Sequence, residues 1–124
     1  MKPYIVLKIA DKEYQLKITT SEAIELEDKL NTSIVEGLGR LGETRILAKY
    51  MLAAARTLNE DVNTEEDAYM ILDEYTLSGG KYDDLYDVIL EVMENSGFIK
   101  QEAIDASKKM RAQLQKKQAE LLSL

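Results

Sequence analysis

The sequence predicts an α+β fold that is mostly α: an N-terminal two-stranded antiparallel β-hairpin followed by five to six helices, the last of them long and C-terminal. Three observations lead to this prediction. Apolar and polar residues alternate between residues 4 and 18, as in half-buried strands. Apolar residues then recur at helical spacing as far as residue 95. Residues 99–124 look like one long helix with a thin apolar stripe.

The hairpin is predicted to turn at Asp11-Lys12, which requires Lys12 to tolerate a positive φ. This turn fixes the pairing of the two strands. It sets Ile9 opposite Tyr14, Leu7 opposite Leu16 and Ile5 opposite Ile18. One face of the ribbon is then apolar throughout and needs a cover, because a two-stranded ribbon is only marginally stable alone.

The first helix is predicted to supply that cover. Thr19 and Glu22 fit a capping box at its start, and the positions that follow at helical spacing are apolar. These positions are Ala23, Leu26 and Leu30.

A second, short helix is predicted after the start signal Asn31-Thr32-Ser33. Its apolar positions are Ile34, Val35, Leu38 and Leu41. It must be short, because Gly37, Gly39 and Gly42 weaken any helix across this segment.

The segment Glu43 to Asn59 has the widest apolar stripe and predicts the most buried helix. The stripe comprises Ile46, Leu47, Tyr50, Met51, Ala54 and Leu58. A fourth helix is predicted to begin at a Thr64–Asp67 cap and to end at Ser78-Gly79-Gly80. Its inward positions are Ala68, Ile71, Leu72 and Tyr75.

A fifth helix is predicted from Lys81 to Asn95, with Gly97 as its left-handed cap. Its inward residues are Tyr82, Leu85, Tyr86, Ile89, Val92 and Met93. We therefore predict one globular domain over residues 1–98 and a C-terminal helical arm over residues 99–124.

The arm carries apolar side chains that a partner or a second copy of the chain could cover. The candidate residues for this association are Met110, Leu114, Leu121 and Leu124. Their spacing is close to a heptad pattern, but polar Ser107 and Lys117 interrupt it, so a clean coiled coil is not expected.

The charge of the chain is unevenly distributed. Residues 1–98 carry a net charge of −10, whereas residues 99–124 carry +3. An acidic body would repel a phosphate backbone, so nucleic acid is not expected as its partner. The absence of cysteine removes disulfides and thiolate metal sites, and no apolar run is long enough for a membrane span or a signal peptide. We expect a cytoplasmic protein.

Two short motifs suggest ligand sites, but their surroundings argue against both. The segment from Gly37 to Gly42 is a literal G-x-G-x-x-G, yet a dinucleotide fold needs a strand on each side and none is predicted here. Asp61, Asn63 and Glu65 resemble the start of a calcium loop that lacks its glycine and its final glutamate. No metal and no cofactor are expected.

The candidates for catalysis are equally few. Histidine and cysteine are both absent, which excludes Ser-His and Cys-His nucleophilic pairs. Three pairs of carboxylates lie on single helix faces, as in all-helical Mg²⁺-dependent nucleotide pyrophosphatases, but no cluster of basic residues for phosphates accompanies them. These pairs are Glu22/Glu25, Glu91/Glu94 and Glu102/Asp105. We expect a binding module and not an enzyme.

The order of these segments resembles the tail assembly chaperones of long-tailed, siphovirus-type phages and prophages. The family's strand motif is matched by DKEYQL at residues 11–16, and its first-helix motif by residues 23–31, with one residue fewer and Asn31 where glycine is frequent. A later helix motif is matched by Thr64, Glu66, Leu72 and Glu74. The likeness spans residues 4–95.

The resemblance implies a non-catalytic protein made in the host cytoplasm. It would bind the tape-measure protein and recruit the tail-tube protein during tail assembly. Two alternatives remain open. One is a small intracellular helical adaptor or regulator of the antitoxin type, whose basic residues would lie in the arm; the other is the Mg²⁺-dependent pyrophosphatase.

Overall fold

The computed structural model describes residues 3–123. They form a β-hairpin and five α-helices, with one short 3₁₀ helix between the first two α-helices, which confirms the predicted fold class. The elements are β1 (Ile5–Ile9), β2 (Lys12–Leu16), α1 (Thr20–Leu30), the 3₁₀ helix (Glu36–Arg40), α2 (Thr44–Ala55), α3 (Glu65–Leu77), α4 (Tyr82–Asn95) and α5 (Gln101–Leu122).

The predicted register of the hairpin is wrong by two residues. Leu7 pairs with Tyr14 and Ile5 with Leu16, so the turn falls at Ala10-Asp11. A shift of two residues keeps every side chain on its predicted face, because side chains alternate with a period of two. The apolar face therefore remains buried although the pairs differ. The positive φ falls on Ala10, at 53°, and not on Lys12.

Contacts with the helices determine where β2 ends. The Lys17 N–H donates to the Ala54 carbonyl at 2.8 Å, and the Ile18 N–H donates to Ser96 Oγ at 3.1 Å. These bonds to the helical layer take residues 17 and 18 out of the ladder, so β2 ends at Leu16.

Helix α1 begins and ends differently from the prediction. The Thr19 hydroxyl accepts from the Glu22 N–H, as expected for a cap, but the Glu22 carboxylate accepts from Arg56 instead of closing a capping box. Asn31 does not start a second helix. It ends α1 in the left-handed conformation at φ 57°, and its N–H donates to the Glu27 carbonyl.

Helix α2 is the centre of the core. Nine of its twelve residues are buried, because the hairpin, α1, α3 and α4 all pack around it. The predicted helix was too long: α2 ends at Ala55, and Leu58 lies 42% exposed beyond it. A run of small alanines at residues 53–55 lets these neighbours approach closely.

Helices α3 and α4 have the predicted ends. A capping box joins Thr64 and Asp67 at the start of α3. Gly79 and Gly97 end the two helices at φ 102° and 91°, where glycine carries no steric penalty. Tyr82 was predicted to face inward, but it lies at the first turn of α4 and is exposed.

The outer edge of β2 is covered by a side chain. Asn59 Nδ2 donates to the Gln15 carbonyl at 2.8 Å, and its Oδ1 accepts from the Gln15 N–H at 3.2 Å. The amide thus takes the place of a neighbouring strand and protects this edge. None of the helices in residues 3–123 combines the length and apolarity that a bilayer crossing requires.

Candidate functional site

An apolar groove of about 560 Å³ lies between the 3₁₀ helix and α5, with α4 beneath it. One wall comes from the segment around the 3₁₀ helix, the floor from α4, and the other wall from α5. The main apolar residues are Val35, Leu38 and Leu41 in the first wall, Tyr86 and Leu90 in the floor, and Ala103, Met110 and Leu114 in the second wall. The volume falls within the range of protein ligand sites.

The first wall is held in place from below. The buried Tyr50 hydroxyl donates to the Ile34 carbonyl, which fixes the chain just before the 3₁₀ helix. Gly37 lies directly over Tyr50, and a β-carbon at this position would be 2.4 Å from the Tyr50 hydroxyl oxygen. Burial raises the pKa of Tyr50, so its hydroxyl remains a proton donor at physiological pH. The wall is therefore rigidly supported.

The second wall is held in place by three side chains of α5. Ile104 is buried at 1% exposure and packs the helix against the body. Arg111 forms an ion pair with Asp87, and Gln115 Nε2 donates to Asp83 Oδ2 at 3.2 Å. These three contacts set the separation between α5 and the 3₁₀ helix.

One polar atom in the groove lacks a partner. Arg111 Nε is buried, and it has no hydrogen-bond acceptor within residues 3–123. Burial raises the pKa of the Tyr86 hydroxyl in the floor, with Asp83 adding to the effect, so Tyr86 also keeps its proton. The groove therefore offers mainly apolar surface, with Arg111 and Tyr86 as its polar lining residues.

The predicted association residues divide between the groove and the free end of α5. Met110 and Leu114 lie in the groove wall and are 64% and 56% exposed. Leu121 lies beyond the groove and is 71% exposed, and Leu124 is outside the described residues. The opposite wall was missed by sequence reasoning, which identified Val35 and Leu38 only as apolar positions of a short helix. Their spacing alone does not distinguish a buried face from an open one.

The ligand motifs have structural uses in the fold. The first glycine of the G-x-G-x-x-G segment is buried against Tyr50, within a 3₁₀ helix that follows helix α1 and not a strand. Glu22 and Glu25 both bind Arg56. Residues 3–123 contain no group of three or more acidic, histidine or cysteine side chains that could hold a metal ion.

A separate polar cluster joins β2 to α3. The Tyr14 hydroxyl donates to Glu74 Oε2 at 3.3 Å, and Lys12 forms an ion pair with the same carboxylate at 3.3 Å. Burial, with Glu74 adding to the effect, raises the pKa of Tyr14 to about 12. Tyr14 is thus a neutral donor that ties β2 to α3.

Comparisons with known proteins add no functional assignment. No protein-family model matches the chain, and neither the curated proteins nor the solved structures contain a match. The groove is therefore the feature from which function is inferred.

Proposed function

We propose that this protein is a tail assembly chaperone of a phage or prophage, a non-catalytic protein that binds an apolar helix of the tape-measure protein and promotes assembly of the tail tube. The observation that carries the proposal is the open apolar groove between the 3₁₀ helix and α5. The sequence resemblance over residues 4–95 supplies the identity of the partners.

The groove suits a helix as its ligand. An amphipathic helix buries its apolar face in such a groove through side chains one turn apart. Met110 and Leu114 are four residues apart on one wall, and Leu38 and Leu41 are three apart on the other, so both walls match this spacing. A long tape-measure helix exposes such side chains before it assembles, and an exposed apolar stripe favours aggregation.

The rest of the surface suits a protein that keeps a partner soluble. The chain carries a formal net charge of −7, which favours solubility and opposes nonspecific aggregation. Under this proposal the protein acts in the host cytoplasm, where the tail is assembled.

The test is co-expression with the longest helical protein encoded just downstream, followed by size-exclusion chromatography with light scattering. We expect the two proteins to elute together, and the long protein to be insoluble when made alone. A Leu114→Glu variant, which places a charge in the groove wall, should lose co-elution. A matched Leu77→Glu variant, at a residue 87% exposed on α3, should retain it.

Two results would overturn the proposal. One is a long protein that is soluble and elutes separately; the other is binding unaffected by Leu114→Glu. The first result would favour a small helical adaptor. Its exposed basic residues on α5, Lys108, Lys109, Lys116 and Lys117, would then be tested for salt-sensitive binding to nucleic acid.

A further inference from the structure

The apolar stripe of α5 continues past the body. Met110, Leu114 and Leu121 are four and seven residues apart, so they lie on one helix face. Met110 and Leu114 face the groove, whereas Leu121 belongs to a stretch, residues 116–123, in which every residue is exposed. The chain thus has an open groove and, in the last third of α5, an exposed apolar residue that no part of the same body covers.

The charges of the two parts are complementary. The body, residues 1–98, carries a net charge of −10, and residues 99–124 carry +3. The last ion pair between α5 and its own body is Arg111–Asp87. Beyond it Lys116 and Lys117 form no ion pair with any residue from 3 to 123. The basic end of α5 is therefore suited to a second acidic body.

We propose that two copies of this chain associate through antiparallel α5 helices, each placing the free end of its α5 into the groove of the other. In this arrangement Leu114 of one copy lies against Met110 of the other, and Leu121 lies against Ala103. A large side chain thus meets a small one at the end of the groove. The interface is reciprocal, as twofold symmetry requires, so it closes at two copies.

This arrangement deepens the proposed function, because the second copy covers the groove until a partner helix displaces it. The dimer is nevertheless tested on the chain alone, without the tape-measure protein. A dimer that ignores the tape-measure protein would refute only the proposed function. A monomer that binds the tape-measure protein would refute only the dimer.

The first test is the mass in solution. We expect light scattering to give twice the 14.1 kDa of one chain, and Leu121→Asp to halve that mass. Residue 121 lies beyond the body, so this change leaves the fold of one chain intact. The matched change Leu77→Asp, at a residue of similar exposure on α3, should leave the dimer unchanged. A monomeric parent chain, or a Leu121→Asp variant that remains a dimer, would overturn the inference.

The second test fixes the direction of the helices. The chain has no cysteine, so any disulfide must come from introduced residues. Ala103→Cys and Leu121→Cys variants should form a mixed disulfide when combined and oxidised, because facing helices bring these positions within the roughly 7 Å that a disulfide allows. When the Leu77→Cys variant takes the place of the Leu121→Cys variant in this mixture, no mixed disulfide should form. Disulfides only between identical variants would indicate parallel helices and overturn the arrangement.

Discussion

The hydroxyl of Tyr50 occupies the space that a side chain at Gly37 would need. A β-carbon on Gly37 would lie 2.4 Å from the Tyr50 oxygen and 2.9 Å from Leu30 Cδ1. The same hydroxyl donates to the Ile34 carbonyl, so it cannot move without leaving a buried carbonyl unpaired. One glycine therefore permits α2 to support the groove wall from below.

Gly37→Ala is expected to lower the free energy of unfolding by about 1–3 kcal/mol, the usual range for overpacking a well-packed interior. Urea denaturation would measure the change. Gly39→Ala, two residues away in the same 3₁₀ helix, is the matched control, because its added carbon has no neighbour within 4 Å apart from adjacent residues and its own helix backbone. Equal stability of the two variants would contradict the close packing over Tyr50.

The position of the hairpin turn is tested by two glycine substitutions. Ala10 has a φ of 53°, a conformation that costs an L-residue about 1–2 kcal/mol. Ala10→Gly should therefore raise the thermal midpoint. Lys12→Gly should lower it, since Lys12 lies within β2 and forms an ion pair with Glu74. If Ala10→Gly lowered the thermal midpoint and Lys12→Gly raised it, the turn would lie at Asp11-Lys12.

The two carboxylate partners of Arg56 differ in burial. The Glu22 side chain is 10% exposed and accepts from Arg56 Nε at 2.8 Å, whereas the Glu25 side chain is 56% exposed. Glu22→Ala should cost about 1.5–3 kcal/mol of stability, the range for hydrogen bonds to charged groups. Glu25→Ala should cost about 0–1 kcal/mol, as exposed ion pairs do. Comparable losses in chemical denaturation would refute this ranking.

The start of α3 should account for part of the acid sensitivity. The N–H groups of Asn63 and Thr64 donate to Asp67 and lower its pKa, and the Lys49 ammonium lowers the pKa of Glu65. A carboxylate with a lowered folded pKa contributes stability above its unfolded pKa of about 4, and this contribution is lost as the pH falls through the folded pKa.

We therefore expect the urea midpoint to fall between pH 6 and pH 3, and to fall less in Asp67→Asn. An Asp67→Asn variant with the parent's full acid sensitivity would show that Asp67 does not contribute.

Thr64→Ala should cost about 1 kcal/mol at neutral pH by removing the cap. Thr20→Ala, at an exposed position within the first turn of α1, serves as its control.

Local sequence signals were sufficient where one residue meets its near neighbours. Thr64 and Asp67 close a capping box three residues apart, and Gly97 ends α4 in the left-handed region. Neither feature depends on a distant contact, so both could be predicted. The capping role assigned to Glu22 was wrong, because Arg56, 34 residues away, takes its carboxylate.

The candidate site was predictable on one side only. Met110 and Leu114 were identified because exposed apolar residues stand out in a polar helix. Val35 and Leu38 were identified only as apolar positions of a short helix, because three glycines and an apolar pattern do not show whether such a segment lines an open groove. The groove exists only where the two segments meet.

The sequence by itself determined the two strands, the five α-helices, their order and most of their buried positions, because periodicity and capping act over a few residues. It also determined the contrast between an acidic body and a basic end. Only the tertiary structure decided the hairpin register and the groove. The end of β2 and the wall of the groove depend on contacts between residues far apart in the chain, such as the Lys17–Ala54 hydrogen bond and the Arg111–Asp87 ion pair, and short-range patterns carry no information about such contacts.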